Sequence, residues 1–297
     1  MRTRFAPAPT GYLHLGHVAN ALTVWGEARA RGAEVLLRIE DHDRQRCRPE
    51  YEAALLEDLE WLGFVPDIAP PAVFRRGPTP YRQSDNGAAY LAALAQLEAA
   101  GHQVYACDCS RQRLLARTGG AAARDLEIPY DGYCRERGLS HGPGRALRVR
   151  LPAGTEHFDD LRLGPQAQDP TAQCGDLPLR DRLGNWTYQF AVVVDDRDQG
   201  VDLVIRGVDL LASTGRQFAL AAMLGRGTPP GVLHHPLVRT AGGRKLSKAD
   251  RDAGIRDLRG AGWTPERVLG AALHALGTHG GGPLPLQEAL NLFSSPV

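Results

Sequence analysis

At 297 residues, the chain is long enough for two domains or for one core that carries an insertion. Its 43% of hydrophobic residues excludes a largely disordered chain, and its net charge of +1 excludes an overall basic field for nucleic acids. The N-terminal sequence lacks the apolar run of a signal peptide, and no stretch approaches the roughly 18 apolar residues of a membrane span. We therefore predict a cytoplasmic protein without a membrane partner.

The cysteine count argues for the same compartment. Five cysteines form an odd number, and three of them lie between positions 107 and 134. This pattern favours a metal site or free thiols in a reducing cytoplasm over a disulfide framework. Cys47 and Cys174 are isolated and are interpreted as ordinary thiols.

The first hundred residues predict the start of a parallel α/β sheet. We expect a strand over Arg2–Ala6, a helix over Gly16–Arg31 and a second strand over Glu34–Ile39. This order is a βαβ unit of the kind that builds a parallel sheet. Two amphipathic helices are expected to follow, over Tyr51–Leu62 and Asn86–Ala100.

The middle of the chain breaks this pattern and the later part resumes it. Short pieces interrupted by Pro and Gly surround the cysteine cluster. Afterwards we expect strands over Tyr188–Val194 and Asp202–Ile205, and a helix over about Ser213–Leu224. We predict four regions: a first half of the fold (1–100), an inserted subdomain (101–184), a second half (185–238), and a loop with a short helical C-terminal part (239–297).

A His-Leu-Gly-His motif begins the first predicted helix, directly after the first strand. Ligands of open α/β sheets bind at the carboxyl ends of strands, and a helix N-terminus attracts anions. Gly16 allows the backbone to approach a ligand closely, and His14 and His17 lie one helical turn apart. The motif therefore predicts a polyphosphate cradle. The alternative is a helix cap with two exposed histidines.

Lysine is confined to a second motif. Only two lysines occur among 35 basic residues, and both lie in Lys245-Leu-Ser-Lys248. A compact, mobile ammonium suits a phosphate clamp, and the preceding glycines Gly242 and Gly243 suit a flexible loop. We interpret the lysines as a clamp that meets the phosphates bound by the histidines.

These two motifs resemble the paired signatures of class I aminoacyl-tRNA synthetases. Five further blocks resemble the glutamyl branch: Arg4-Phe-Ala-Pro, Ile39-Glu-Asp-His-Asp43, Tyr188-Gln-Phe-Ala, Val204-Ile-Arg-Gly207 and Asp209-Leu-Leu-Ala-Ser-Thr214. The chain ends about fifty residues after the lysine motif, where glutamyl-tRNA synthetases continue into an anticodon-binding domain. Together with the cysteine cluster, this is similar to the glutamyl-queuosine tRNA(Asp) synthetase subgroup.

The resemblance implies an α/β class I synthetase fold: a Rossmann-type parallel sheet with an inserted zinc-binding subdomain and a short helical C-terminal part. It also implies that the chain, which we expect to be a monomer, activates L-glutamate with ATP without tRNA and transfers the glutamyl group to queuosine in the anticodon of tRNA(Asp). Two alternatives remain. One is a truncated glutamyl-tRNA synthetase that charges the tRNA 3′ end. The other is a non-catalytic tRNA-binding paralogue, against which His14, His17 and Lys248 argue.

Glutamate has two carboxylates and one ammonium, so its pocket needs two cations and one anion. Arg4 and Arg206, at predicted strand ends, suit the carboxylates. Glu40 suits the ammonium and Tyr188 offers a hydroxyl, and the resembling blocks place all four at strand ends. For each of them alone the alternative is a surface ion pair. Ala8 stands where the family usually has a Ser that would touch the ammonium.

The implied chemistry is adenylyl transfer, in which a glutamate carboxylate attacks the α-phosphorus of ATP. No side-chain nucleophile is needed, so catalysis consists of positioning and charge stabilisation. The resemblance implies ATP contacts from His14, Gly16, His17 and Lys248, with assistance from Lys245. Mg²⁺ is expected to accompany the nucleotide.

The cysteine cluster predicts a structural zinc site. Three thiolates suit tetrahedral Zn²⁺, and a closed site needs a fourth ligand. The thiolates are those of Cys107, Cys109 and Cys134. The resemblance implies Tyr130 as the fourth ligand, with Tyr133 and Asp108 as alternatives. Otherwise the cluster is a set of reduced cysteines in a small subdomain.

Three further features favour no particular chemistry. Asp195, Asp196 and Asp198 are interpreted as a solvated loop rather than a metal site. His234 and His235 are interpreted as structural. The arginine-rich stretch from 111 to 150 is interpreted either as a tRNA contact or as a solvated face.

Overall fold

A computed structural model of the protein describes residues 1–118, 128–238 and 254–293. Within these ranges the strands are β1 (Arg2–Phe5), β2 (Glu34–Leu37), β3 (Val104–Cys107), β4 (Ala146–Val149), β5 (Glu156–Asp160), β6 (Gly164–Gln168), β7 (Leu177–Arg180), β8 (Leu203–Gly207) and β9 (Gly231–His235). The helices are α1 (Leu15–Ala30), α2 (Pro49–Leu62), α3 (Pro71–Arg75), α4 (Gly87–Ala99), α5 (Arg111–Thr118), α6 (Pro170–Cys174), α7 (Tyr188–Asp198), α8 (Thr214–Met223), α9 (Ile255–Gly260), α10 (Pro265–Ala275) and α11 (Leu286–Asn291). Both lysines lie outside the described residues.

The predicted βαβ unit is confirmed. β1 and β2 pair in parallel from Arg2 opposite Glu34 to Phe5 opposite Leu37, with α1 as the crossover. Both strands are short and buried at all but their first residues, although β1 carries Arg2 and Arg4. α1 buries a stripe that includes Val18 and Leu22.

The second half of the sheet is also parallel at its centre. β8 and β9 pair in parallel, and β8 lies beside β1, where the Asp202 amide donates to the Arg2 carbonyl at 3.0 Å. The carboxyl ends of β1, β2 and β8 therefore meet at one edge, which is where ligands bind in open α/β sheets.

The outer edge of the sheet is not parallel, and here the expected all-parallel sheet is wrong. β5 runs parallel to β9, but β6 folds back antiparallel to β5, giving a mixed sheet in the order β6-β5-β9-β8. The tight reversal at Gly164, whose φ of 74° suits glycine, makes this hairpin possible. This hairpin lies within the predicted insertion 101–184, whose bounds stay a prediction.

The predicted strand over Tyr188–Val194 is wrong, because these residues begin helix α7. Thr187 caps the helix by accepting the Phe190 amide at 3.4 Å. A run of buried apolar residues does not distinguish a strand from a buried helix, and β-branched residues tilt the choice towards a strand. Here tertiary packing decides, since Phe190 and its neighbours are buried between α4, α8 and the antiparallel sheet of β3, β4 and β7. The aspartates that follow are consequently helical.

The remaining elements form two packed units. β3, β4 and β7 make an antiparallel sheet that shares a core with α4, α7 and α8. The C-terminal helices α10 and α11 pack on α1, as a helical C-terminal part requires. Among the described helices, none combines the length and the hydrophobicity needed to cross a bilayer.

The packing of α1 can be tested with a matched pair of truncations. Leu22, fully buried against the C-terminal helices, is compared with Leu91 on α4, which is 56% exposed. Leu22→Ala should lower the free energy of unfolding by about 2–5 kcal/mol. Leu91→Ala should change it by less than about 0.5 kcal/mol. Denaturant titration gives both values, and equal losses would contradict the placement of α1 at the centre of this core.

Candidate active site

The two histidines lie at the N-terminus of α1 and cap it together. His14 is the N-cap residue, and its Nδ1 accepts the Gly16 amide at 3.1 Å. The His17 Nδ1 in turn accepts the His14 amide at 3.1 Å. When neutral, each ring therefore carries its proton on Nε2. A role as helix cap and a role in phosphate binding are compatible, because the cap fixes two N–H donors at the positive end of the helix.

Gly16 is required by this arrangement. A Cβ at position 16 would lie 2.9 Å from Cε1 of His14 and 3.0 Å from its Nδ1. Any side chain there would push the His14 ring away from its hydrogen bond. The glycine thus preserves the geometry of the cap.

The five predicted pocket residues line one cavity of about 340 Å³. It opens at the edge where β1 and β8 end, beside the segment that follows β2. The five residues are Arg4, Ala8, Glu40, Tyr188 and Arg206. Tyr188 is the first residue of α7 rather than the end of a strand, so the expectation of four strand ends is wrong for this residue. The structure brings the whole predicted set together.

Arg4 belongs to a buried cluster of ion pairs that the sequence reading missed. Its Nε lies 3.2 Å from Asp196 Oδ1. Arg38, which is fully buried, donates to the same oxygen at 2.7 Å and to Glu40 Oε1 at 2.9 Å. The prediction of a solvated loop over 195–198 is therefore wrong for Asp196. The signal was present in the sequence, because Arg38 interrupts the apolar run from Val35 to Ile39 and a buried guanidinium needs counter-ions.

The charges of this cluster stabilise one another. Burial alone would raise the pKa of Asp196, but Arg4 and Arg38 outweigh it and hold the pKa below its usual range. Burial likewise opposes the charge of Arg38, and Asp196 and Glu40 raise its pKa. Asp196 and Arg38 therefore stay ionised at neutral pH.

The neighbouring Asp195 is buried in a different setting. Its carboxylate accepts hydrogen bonds from Gln83 Nε2 (2.7 Å), Asn86 Nδ2 (2.9 Å) and the Tyr90 hydroxyl (2.9 Å). Burial nevertheless dominates and raises the pKa of Asp195 to about 6. Asp195 thus ties α7 to α4 and is not solvated either.

Arg206 donates hydrogen bonds to acceptors that are uncharged or titratable. Its guanidinium donates to Gln217 Oε1 (2.7 Å), Thr214 Oγ1 (2.9 Å) and His234 Nε2 (3.0 Å). No carboxylate binds it among the residues that the structure describes. The Tyr188 hydroxyl lies 3.5 Å away on the cavity side. Burial lowers the pKa of Arg206, although an arginine stays protonated at neutral pH.

The three clustered cysteines come together beside the antiparallel sheet of β3, β4 and β7. Their sulfur atoms all lie within 4.8 Å of one another, with Cys109 Sγ and Cys134 Sγ 3.6 Å apart. The Tyr130 hydroxyl lies 3.3 Å from Cys107 Sγ and 3.8 Å from Cys109 Sγ. Three thiols and one phenol around a common centre fit the donor set of a tetrahedral site.

The two alternative fourth ligands are placed less favourably. Tyr133 is 53% exposed, and its ring stacks beneath the guanidinium groups of Arg117 and Arg137. Asp108 reaches Cys134 Sγ at 3.5 Å but is engaged by Arg137 at 2.7 Å. Tyr130 is thus the oxygen donor nearest to the thiols within the described ranges.

Residues 1–282 match the model of the class I tRNA synthetase catalytic domain for E and Q. The glutamyl-Q tRNA(Asp) synthetase of Nitratidesulfovibrio vulgaris is 41% identical over 281 residues, which cover 91% of this chain and 84% of that protein. The corresponding protein of Geobacter sulfurreducens is 44% identical over 92% of this chain and 83% of its own length. The chain belongs to the glutamyl-Q tRNA(Asp) synthetase family. As a member of this family, the protein is an ATP-dependent ligase.

A solved structure shows the same fold. The glutamate-tRNA synthetase of Elizabethkingia anophelis superposes with a TM-score of 0.78 at 27% sequence identity. The match covers 99% of this chain and 66% of that chain. This chain therefore spans just under two thirds of the length of that structure.

Removing the shared anion should destabilise the buried cluster. Asp196→Asn leaves two buried guanidinium groups without their common carboxylate, which should cost about 3–5 kcal/mol of unfolding free energy at pH 7. Because the folded pKa of Asp196 is depressed, this stability is present above the unfolded pKa of about 3.9 and is lost as pH falls further. The matched control is Asp198→Asn on the same helix, which should cost less than about 0.5 kcal/mol. Equal denaturation midpoints for the two variants would contradict the buried cluster.

Proposed function

We propose that this protein activates L-glutamate with ATP and Mg²⁺ in the absence of tRNA. It then transfers the glutamyl group to the queuosine base in the anticodon of tRNA(Asp). The observation that carries the proposal is the cavity in which all five predicted glutamate-binding residues meet. The names of the curated relatives supply the tRNA and its modified base.

The cavity has the charges that glutamate requires. Arg4 and Arg206 would bind the two carboxylates, and Glu40 would bind the ammonium. Tyr188 would donate its hydroxyl beside Arg206. Ala8 lines the same cavity and offers only a methyl group, so the recognition of the ammonium rests on Glu40.

ATP would bind where α1 begins. His14 and His17 would donate to its phosphates, and Gly16 would let the backbone approach. Lys248 would clamp the pyrophosphate side with help from Lys245. Gly254, the first described residue after the lysine motif, forms a β-bridge with His14.

In the first step, a glutamate carboxylate oxygen attacks the α-phosphorus and pyrophosphate leaves. The residues of this chain position the two reactants and stabilise the charge on the phosphates, which is how phosphoryl-type transfers are catalysed without a protein nucleophile. Mg²⁺ would bind through phosphate oxygens and neutralise part of their charge.

Pyrophosphate exchange tests the activation step. The wild type should show glutamate-dependent ATP–pyrophosphate exchange without tRNA. Lys248→Ala should lose at least about 100-fold of this activity, since it removes a charged contact to the transferring phosphates. No exchange by the wild type would contradict tRNA-independent activation.

The acceptor is tested with the same enzyme and labelled glutamate. Label should appear on tRNA(Asp) that contains queuosine, and it should survive removal of the 3′-terminal adenosine. Label that disappears with this adenosine would instead support a truncated glutamyl-tRNA synthetase. Absence of both exchange and labelling would support a non-catalytic tRNA-binding paralogue.

We further propose that Cys107, Cys109, Cys134 and Tyr130 bind one structural Zn²⁺. When bound, the ion would crosslink the two ends of the segment from β3 to residue 134. The cytoplasmic location and the monomeric state stay predictions, as does tRNA contact by the arginines of 111–150. Two of these arginines, Arg117 and Arg137, already pair with Asp131 and Asp108.

Metal analysis tests the zinc site. Protein purified without chelators should contain about one zinc per chain, as a closed four-ligand site predicts. Cys109→Ser should lose most of the zinc, whereas Cys174→Ser should retain it, because Cys174 is a buried thiol outside the cluster. Tyr130→Phe should weaken binding and so identify the fourth ligand. A zinc content near zero in the wild type would contradict the site.

A further inference from the structure

His234 lies directly behind Arg206, on the neighbouring strand of the sheet. The two residues are opposite one another in the β8–β9 register, and both are buried. The Nε–H group of Arg206 donates to Nε2 of His234 at 3.0 Å. A guanidinium has only donors, so His234 Nε2 must carry a lone pair.

Asp160 completes a line of three groups. Its Oδ2 lies 2.5 Å from His234 Nδ1 and 3.1 Å from the backbone amide of His234. Its Oδ1 accepts the amides of Arg162 and Leu163 at 3.0 and 2.9 Å, at the turn between β5 and β6. The carboxylate is therefore fixed by the backbone, and it fixes the ring proton of His234 on Nδ1.

The two arginines of the cavity are thus supported in different ways. Arg4 rests against the carboxylate of Asp196, which balances part of its charge. Arg206 rests against an imidazole that is neutral in this geometry. The full charge of Arg206 is consequently available to a ligand carboxylate.

A protonated His234 would reverse this support. Imidazolium has no lone pair, so it would place a second cation against Arg206 inside the protein. The ionisable groups that face the ring are Asp160 on β5, Arg206 on β8 and the adjacent His235. Burial and Arg206 keep the pKa of His234 below its ordinary value, although Asp160 opposes them.

We propose that Asp160 and His234 are positioning residues that aim Arg206 at a carboxylate of the substrate, and that they do so only while His234 is neutral. This inference rests on the proposed binding of glutamate in the cavity. It predicts a loss of glutamate affinity, without a matching loss of ATP affinity, whenever the acceptor at the Nε2 position is removed or protonated.

Two substitutions at position 234 separate this role from packing. An Asn side chain reaches the Nδ1 position but not Arg206, whereas a Gln side chain can place its carbonyl oxygen near the Nε2 position. His234→Asn should raise the KM for glutamate about 10- to 100-fold, the effect of losing a hydrogen bond to a charged group. The KM for ATP should change by less than about threefold, and His234→Gln should recover most of the loss.

The pH dependence gives a second readout. In the wild type, the KM for glutamate should rise as pH falls through the pKa of His234, which lies below the ordinary imidazole value of about 6.5. In His234→Gln it should rise less, because an amide does not titrate. Tyr105→Phe serves as the control for loss of a buried hydrogen bond, since it removes a contact to Asp176 in the other sheet. Its KM for glutamate should equal that of the wild type.

The outcomes distinguish this inference from the proposed function. No glutamate-dependent exchange by the wild type would overturn the proposed function, and the inference with it. Wild-type exchange together with an unchanged KM for glutamate in a folded His234→Asn variant would overturn the inference alone. If His234→Asn does not fold, His234→Gln decides, and a KM with the same pH dependence as the wild type would overturn the inference.

Discussion

The shared contact of Arg4 and Arg38 with Asp196 is the interaction on which the rest of the site depends. Three parts of the chain meet there: β1 supplies Arg4, the residue after β2 is Arg38, and α7 supplies Asp196. Burying any one of these charges alone would be strongly unfavourable, but together with Glu40 they form a neutral set of two cations and two anions. The cost of burial is offset only when all four are in place. The fold therefore fixes Arg4 and Glu40 at the cavity before any substrate arrives, which reduces the ordering that binding must impose.

The opposite wall of the cavity is built on another principle. Arg206 has Gln217, Thr214 and His234 as partners, and none of these neutralises it while His234 is uncharged. No carboxylate binds Arg206 within the described part of the chain, and burial lowers the pKa of its guanidinium. A ligand carboxylate would supply the missing anion, so binding would relieve this electrostatic cost. A neutral amide could not do so to the same extent. The unequal support of Arg4 and Arg206 thus provides a physical basis for selecting an acidic side chain.

Periodicity was sufficient to predict the elements whose pattern has one interpretation. The strand, helix and strand over residues 2–37 follow from a short segment that ends before Pro7, a helical stripe that ends at Gly32, and an apolar run from Val35. Residues 190–194 are all buried, so this run carries no alternation from which to choose, and it proved to be part of helix α7. Motif order singled out five residues that the fold brings to one cavity, whereas their supporting partners lie far away in the sequence. Arg38 contacts Asp196 across 158 positions, and only the folded chain reveals such a pair.

The position of Tyr130 shows how backbone constraints determine a candidate ligand. Its amide donates to the Cys174 carbonyl at 2.9 Å, and its carbonyl passes so close to Gly175 that a Cβ there would lie 2.0 Å from the oxygen. Gly175 also has a φ of 66°, so the site requires glycine for two reasons. The amide of Cys134 donates to the Tyr130 hydroxyl at 3.0 Å, which holds the other end of the side chain. With both ends fixed, the hydroxyl remains beside the thiols, whereas Tyr133 is exposed and its ring lies beneath Arg117 and Arg137. The cluster is therefore preorganised by the packing of its own loop against the segment before β7, and a bound ion would add to an arrangement that the backbone already favours.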